Sequence, residues 1–503
     1  MGNTELRKRA AWADNDHRTW SLAQQIQEHP GFWSILTMSQ KMEHQPIPLR
    51  ERAHQIFATA KSVAGKAEAE IILVSRIDEY LRFGNNELAQ SQYSNSRNLS
   101  VRIASEKKQG RVTTGTLDKA SIERTVEKAL RQARDSPEDP DFLPMPGPQK
   151  YRSVNRYSEK TVEAPAELKA GYIGSAIDLA KKNHLLASGV LGTSVEQVMM
   201  LNTSGLETSY RGSGGYFSLT MDADNGNQTG YAMSTFGDIG ELDPNKVSQI
   251  ALERAQLNKN QADIAPGKFD VVVDPYAWSE MLLFFAVSAS TGYSPDLGMR
   301  QYKEGRSYLS GRLGEKILGD NVSIDDDVYH PSQAGPPFDG EGCQKSKVSL
   351  IENGVFQNVV SSRISQHRYG AEPTGHELPL PNPLGELPTN LVIRGKGATK
   401  TSEELIGELD KGLLITRFWY VRETEPRTKT VTGMTRDGTF LVENGEIKRP
   451  VKNLRFNQSL LELFNKVDAV SEPVRNFSEF QQFRILQPGI LARDFNFTSV
   501  SPF

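Results

Sequence analysis

The chain has 503 residues, of which 37% are hydrophobic and 24% charged, a length sufficient for two to four domains with their own cores. Its 59 Lys and Arg nearly balance 62 Asp and Glu, and the net charge of −3 provides no basic surface for nucleic acid. The single cysteine, Cys343, excludes an intrachain disulfide.

Targeting signals are also lacking in the sequence. No apolar run approaches the ~18 residues of a membrane span, and the N-terminus has no apolar segment typical of a secretory signal. We therefore expect a cytoplasmic protein that binds neither a membrane nor nucleic acid.

The N-terminal third of the chain begins with residues 1–45, which are rich in Gln, His and Trp and precede any strong pattern. We predict an appended arm there. Residues 46–140 predict an α/β module. It has a helix after Pro48, strands around the turn FGNNEL, and a second helix capped by Asp118.

The next module, residues 141–265, follows a proline-rich linker. Its pattern predicts a helix over 164–183 and a β-meander that first turns at Asn202–Gly205. RGSGGY, residues 211–216, is interpreted as a hairpin turn because it does not open a helix as a nucleotide loop would. The capped helix after this meander echoes the one at 117–133, so two related modules or a chance similarity are both possible.

The C-terminal part, residues 266–503, predicts a domain rich in β-strands. A strand, PGKFDVVVD, precedes the apolar segment LLFFAVSA, and hairpin turns are predicted at Asn353–Gly354 and Asn444–Gly445. The fold class is therefore α+β, with mixed α/β N-terminal modules followed by a large, mainly antiparallel β C-terminal domain.

Metal-binding patterns are not evident among the eight histidines, because no HExxH or HxH spacing occurs. The acidic run Asp325–Asp327 near His330 is predicted to be a solvated loop. His376, in TGHELP, is predicted to be an exposed loop residue.

The segment ITRFWYVRETEPRTKTVTG, residues 415–433, combines aromatic and charged side chains. On a regular strand, Arg417 and Trp419 would face one side and Phe418 and Tyr420 the other. The segment is either a core strand with a salt-bridged rim or a groove edge that binds an extended peptide by strand addition.

Several segments, in this order, resemble the TldD/PmbA (TldE) family of "modulator of DNA gyrase" type, metalloprotease-related proteins. They are EYLRFGNNELAQS, PGKFDVVVDP, LIENGVFQNVV, LPTNLVIRGK, GLLITRFWY and VTGMTRDGTFLVENGEIKRPVKNLRFNQSLLELFNKVDAV. Catalytic members of that family carry a helix motif similar to LLHEAVGH, in which histidines bind zinc and glutamate activates water.

This motif falls on LLFFAVSA, so the resemblance places Phe284, Phe285 and Ala289 where the first histidine, the glutamate and the second histidine belong. Phenylalanine can neither bind zinc nor transfer a proton. Asp274 and Pro275 are still predicted to start the helix. The family's metal-bearing members also use a cysteine near the C-terminus, and residues 470–503 contain none.

The resemblance thus implies the non-catalytic, PmbA/TldE-like branch, with no metal on this chain and zinc on a catalytic TldD-like partner subunit. The expected heterodimer would process or degrade unfolded peptides, and Arg417, Phe418, Trp419 and Tyr420 are candidates for the substrate groove. Two alternatives remain. One is an autonomous homodimeric peptide-binding or scaffold protein with an apolar pocket at Phe284 and Phe285. The other is a metallopeptidase with ligands relocated to His330, His367, His376 and nearby acidic residues.

Overall fold

A computed structural model of the chain describes residues 48–223, 226–288, 294–396, 400–477 and 484–501. The predicted arm at 1–45 lies outside these residues. The described residues form helices and largely antiparallel sheets, so the predicted α+β class is confirmed. No helix among them is both long and apolar enough to cross a membrane.

The N-terminal half contains two helix–three-strand–helix units whose strands form one antiparallel sheet. Its strand order is β3-β2-β1-β4-β5-β6, so each unit contributes three neighbouring strands. This recurrence favours two related modules over chance similarity. The first unit comprises α1 (Leu49–Ala64), β1 (Glu68–Gly84), β2 (Glu87–Ser105), β3 (Lys108–Thr114) and α2 (Lys119–Asp135). The second comprises α3 (Glu159–Val162), α4 (Ala166–Lys182), β4 (Leu186–Asn202), β5 (Glu207–Asp222), β6 (Thr229–Phe236), a 3-10 turn (Ile239–Glu241) and α5 (Pro244–Leu257).

Local signals account for several boundaries of these elements. Asn85 and Asn86, at φ 52° and 63°, form the predicted turn between β1 and β2. The side chain of Asn86 then donates to Leu185 O at 2.8 Å. Asp118 accepts from Ser121 N at 3.0 Å and caps α2, as predicted.

The predicted hairpin turn at RGSGGY is wrong, because residues 211–216 lie inside β5. Close packing explains its glycines: a Cβ at Gly215 would lie 2.3 Å from Gly192 O on the neighbouring strand. The glycines are visible in the sequence, but the neighbouring strand that packs against them is not.

The two faces of this sheet have different roles. Ile71 and Leu73 of β1 pack under α1 and α2, while Leu81 and Phe83 pack under α4 and α5. The opposite face carries Glu70 and contacts the C-terminal region. Because side chains alternate along a strand, one face supplies the core of the N-terminal half and the other a polar interface.

The C-terminal region is built on two larger sheets and a short two-stranded one. The nine-stranded sheet has the order β15-β16-β19-β23-β7-β14-β17-β18, and β20 also pairs with β23. Its strands are β7 (Gly267–Val273), β14 (Lys411–Ile415), β15 (Phe418–Glu425), β16 (Thr430–Thr435), β17 (Thr439–Glu443), β18 (Glu446–Pro450), β19 (Leu454–Ser459), β20 (Val467–Val470) and β23 (Ile490–Val500).

The six-stranded sheet of this region has the order β12-β11-β10-β13-β22-β21. It comprises β10 (Ser323–Asp326), β11 (Val348–Glu352), β12 (Val355–Phe356), β13 (Asn390–Arg394), β21 (Val474–Phe477) and β22 (Arg484–Gln487), while β8 (Val287–Ser288) pairs with β9 (Ser294–Pro295). The helices are α6 (Ser279–Ala286), α7 (Met299–Lys303), α8 (Arg363–Tyr369), α9 (Ser402–Gly407) and α10 (Leu460–Asn465).

Hairpin turns at Asn353–Gly354 and Asn444–Gly445 are confirmed, since all four residues have positive φ. The prediction for Asp325–Asp327 is wrong. Asp325 and Asp326 lie on β10 and are buried, and Asp325 pairs with Arg394 at 3.0 Å. The proposed boundaries near 140 and 265 remain predictions.

Candidate functional site

The helix that carries the degenerate motif is α6, Ser279–Ala286. The predicted start at Asp274–Pro275 is wrong, because residues 275–277 form a turn first and the helix begins at Ser279. Asp274 instead accepts from Tyr276 N at 3.0 Å and forms an ion pair with Arg254. Trp278 anchors the helix entrance by donating from Nε1 to Pro488 O at 2.9 Å.

Both phenylalanines of the motif are part of the hydrophobic core. Phe285 is fully buried, and its ring packs edge-on against Phe464 at 5.1 Å and Tyr308 at 5.8 Å between centroids. Phe284 is 6% exposed. Ala289 lies outside the described residues. Because aromatic rings offer no lone pair to a metal, the described residues of the motif do not fit a zinc ion.

Relocated metal ligands are not brought together either. Among the described residues, no group of three or more His, Cys, Asp or Glu side chains is arranged to hold a metal ion. His367 is on α8 and His330 in a loop, where its Nδ1 accepts from Ser332 N at 3.2 Å. The prediction that His376 is exposed is wrong, because it is buried between Asp326 and Thr374.

The His376–Asp326 pair links the loop that carries Thr374 and His376 to strand β10 of the C-terminal region. His376 Nε2 lies 2.9 Å from Asp326 Oδ1, and Asn390 N donates to Asp326 Oδ2 at 2.8 Å. Burial alone would raise the pKa of Asp326, but the charge and hydrogen bond of His376 outweigh it and lower that pKa. The pair therefore acts as a buried hydrogen-bonded link.

A buried ion cluster lies directly after α6. Lys429, in the turn between β15 and β16, is fully buried and donates from Nζ to Asp296 at 2.9 Å and to Glu423 at 2.6 Å. It also donates to Val287 O at 3.1 Å. Burial raises the pKa of Asp296 in spite of Lys429. No sequence pattern marks this cluster, because its members are scattered along the chain and lysines and carboxylates are common.

The predicted groove residues divide between core and surface. Phe418 is buried and stacks on Phe495 at 5.5 Å, whereas Trp419 and Tyr420 are 37% and 59% exposed. The predicted alternation is wrong because the register shifts between Trp419 and Arg422, where Tyr420 has a φ of 56°. Arg417 lies 4.9 Å from the Trp419 ring, which brings it into the same surface.

A second cluster of buried carboxyls joins the C-terminal loops to the polar face of the N-terminal sheet. Burial is the main cause that raises the pKa of Asp339 to about 6 and the pKa values of Glu341 and Glu377 to about 7. Glu341 pairs with Arg363 at 3.1 Å. A polar cavity of about 230 Å³, lined in part by Arg300 and Asn382, adjoins this region. Nothing in the sequence around Glu341 and Glu377 indicates that these carboxyl groups are buried.

Comparisons with known proteins cover most of the chain. Sequence models described as PmbA/TldA metallopeptidase domain 1, central domain and C-terminal domain match residues 69–133, 158–259 and 266–499. A protein described as "Metalloprotease PmbA" from Escherichia coli O157:H7 is 23% identical over 477 residues, which cover 90% of this chain and 98% of that protein.

Two further comparisons, with a second relative and with a solved structure, also find similar proteins. A protein described as "Metalloprotease" from Methanothermobacter thermautotrophicus is 28% identical over 217 residues, covering 42% of this chain and only 44% of that relative's length. The crystal structure of TldE from Thermococcus kodakarensis superposes with a TM-score of 0.77 at 21% identity, covering 89% of this chain and all of that one. At that identity, the structural likeness concerns the fold.

Proposed function

The chain belongs to the PmbA/TldD family of metallopeptidases, and from this premise we propose that it is the non-catalytic, PmbA/TldE-like subunit of a heterodimeric zinc metalloprotease. The complex would process or degrade unfolded peptides in the cytoplasm. A TldD-like partner would carry the zinc and the chemistry, and this chain would complete the substrate-binding surface.

The packing of the motif helix carries this proposal. Phe285 has no exposed surface and fills the space between Tyr308 and Phe464. A ring that is part of the core cannot act as a general base, and no metal can approach it without unpacking the helix. The same packing argues against an open apolar pocket, since Phe285 is fully buried and Phe284 is only 6% exposed.

An exposed sheet edge supports the peptide-binding role. β15 is the first strand of the nine-stranded sheet, and within the described part of the chain it pairs only with β16. Near the start of β15, the edge that faces away from β16 already makes hydrogen bonds within the chain. Phe418 N donates to Ala277 O at 3.2 Å, and Val421 N donates to the Glu280 carboxylate at 3.1 Å. A peptide strand would therefore add beyond Val421, along residues 422–425, and the exposed rings of Trp419 and Tyr420 would flank the start of that stretch.

The first test is the metal content and mass of the purified chain, alone and after co-expression with a relative that carries the intact histidine–glutamate motif. We expect no zinc on the chain alone and one zinc per heterodimer. A stable homodimer without metal, with no heterodimer, would instead support the autonomous binding protein. Near-stoichiometric zinc and chelator-sensitive peptidase activity on this chain alone would support relocated ligands.

The second test examines the peptide surface in that heterodimer. The double variant Trp419→Ala/Tyr420→Ala should retain its thermal stability, because both rings are substantially exposed. We expect weaker binding of an unfolded fluorescent peptide and a raised KM with little change in kcat. Leu313→Ala is the matched control, since Leu313 is 57% exposed and lies outside this surface. Equal KM values for the control and the double variant would refute the assignment.

A further inference from the structure

The Lys429 cluster requires an explanation of its own. An ammonium group removed from water is destabilising unless its charge and its donors are compensated. Lys429 is fully buried, as are the side chains of Glu423 and Asp296 to within 2%. The lysine also has a φ of 50°, in the left-handed region that non-glycine residues seldom adopt.

Oxygen atoms surround the ammonium. Besides the two carboxylates and Val287 O, Ser288 Oγ lies 3.4 Å from Nζ. The Tyr308 ring lies 5.3 Å away on another side. Such a set of carboxylate, carbonyl and hydroxyl oxygens is typical of sites for hard cations.

The cluster is connected directly to the degenerate motif. Val287 and Ser288, which contact the ammonium, lie between Phe285 and position 289. Tyr308, which lies over the ammonium, also packs against Phe285 and donates to Phe285 O at 3.3 Å. One cation therefore links the end of α6, Asp296 next to β9, and the β15–β16 hairpin.

We propose that Lys429 is the resident cation of this site: its ammonium occupies an oxygen-lined position beside the degenerate motif and ties the end of α6 to the β15–β16 hairpin. The chain thus has a built-in positive charge there and needs no metal ion to keep this region folded. All members of the cluster belong to this chain, so the role of Lys429 does not depend on a heterodimer.

Replacement of the charge at nearly constant side-chain length provides the first test. Lys429→Met leaves Asp296 and Glu423 buried without their cation, and we expect Tm to fall by about 5–10 °C. The matched control is Lys466→Met, because Lys466 pairs with Asp494 at the same 2.9 Å but on the surface. We expect it to change Tm by less than about 2 °C. Equal Tm values for the two variants would overturn the proposal.

Two further measurements apply if Lys429→Met folds poorly. The variant Asp296→Asn/Glu423→Gln/Lys429→Met removes all three charges and should recover much of the lost Tm. In Lys429→Ala, millimolar Ca²⁺ or Mn²⁺ should raise Tm, whereas neither ion nor a chelator should shift Tm of the unmodified chain. The proposal is overturned if the triple variant is no more stable than Lys429→Met, if neither ion stabilises Lys429→Ala, or if a chelator destabilises the unmodified chain.

Discussion

Substitution of Glu377 by glutamine should change how stability depends on pH. The Glu377 side chain is fully buried, and its Oε1 accepts from Asn382. Arg300 Nη2 lies 3.5 Å from Glu377 Oε2, and its positive charge favours the ionised carboxylate. Burial and the negative charge of Glu386 outweigh this attraction and raise the pKa of Glu377 to about 7. The carboxyl is therefore costly to ionise within the folded chain.

The direction and size of the effect follow from linkage. Because the folded-state pKa is raised, the stabilising contribution is complete below the unfolded value of 4.5 and is lost as pH rises through about 7. The whole shift corresponds to about 3.4 kcal/mol, at about 1.36 kcal/mol per unit of pKa. Between about pH 5.5 and pH 8.5, Glu377 alone should reduce the free energy of unfolding by about 2 kcal/mol.

Glu377→Gln removes this titration while keeping an acceptor for Asn382. Urea unfolding of the variant and the unmodified chain at both pH values measures the difference in free energy of unfolding. We expect this difference to move by about 2 kcal/mol in favour of the variant at the higher pH. Glu127→Gln, at an exposed position of α2, is the control and should show no such change. Parallel pH profiles for Glu377→Gln and the unmodified chain would refute the argument that burial raises the pKa of Glu377.

Two other outcomes follow from burial. Phe285→Ala should lower the free energy of unfolding by about 3–5 kcal/mol, because it leaves a cavity between Tyr308 and Phe464; a loss below about 1 kcal/mol in urea unfolding would show that the helix is loosely packed. Burial and the charges of Asp339 and Glu341 raise the pKa of the Cys343 thiol far above its usual range, so it should react with Ellman's reagent at pH 8 only after denaturation. Complete labelling of the folded chain within the mixing time would contradict that environment.

Local chemistry was predictable wherever neighbouring residues decide the conformation. The turns at Asn353–Gly354 and Asn444–Gly445 and the cap at Asp118 involve partners within a few residues. The interpretation of LLFFAVSA as a degenerate metal motif also depends on a short segment, because the chemical character of Phe284 and Phe285 does not depend on the fold. These features are properties of short segments, and the sequence contains the whole of each segment.

The errors arose where distant partners decide the environment. Asp326 looked solvated until His376, fifty residues away, proved to be its buried partner. The strand over Trp419 and Tyr420 lost its alternation because of a register shift against β16, which the segment itself does not specify. In both cases the residue types were compatible with either environment.

The sequence by itself therefore determined the fold class, the resemblance to a family, and the apolar character of Phe284 and Phe285 on the motif helix. Only the tertiary structure determines which residues surround that helix. Lys429 meets Asp296 across a separation of 133 residues and Val287 across 142. No local pattern marks such a meeting, because a buried ion pair exists only when the folded chain removes water from all of its members together.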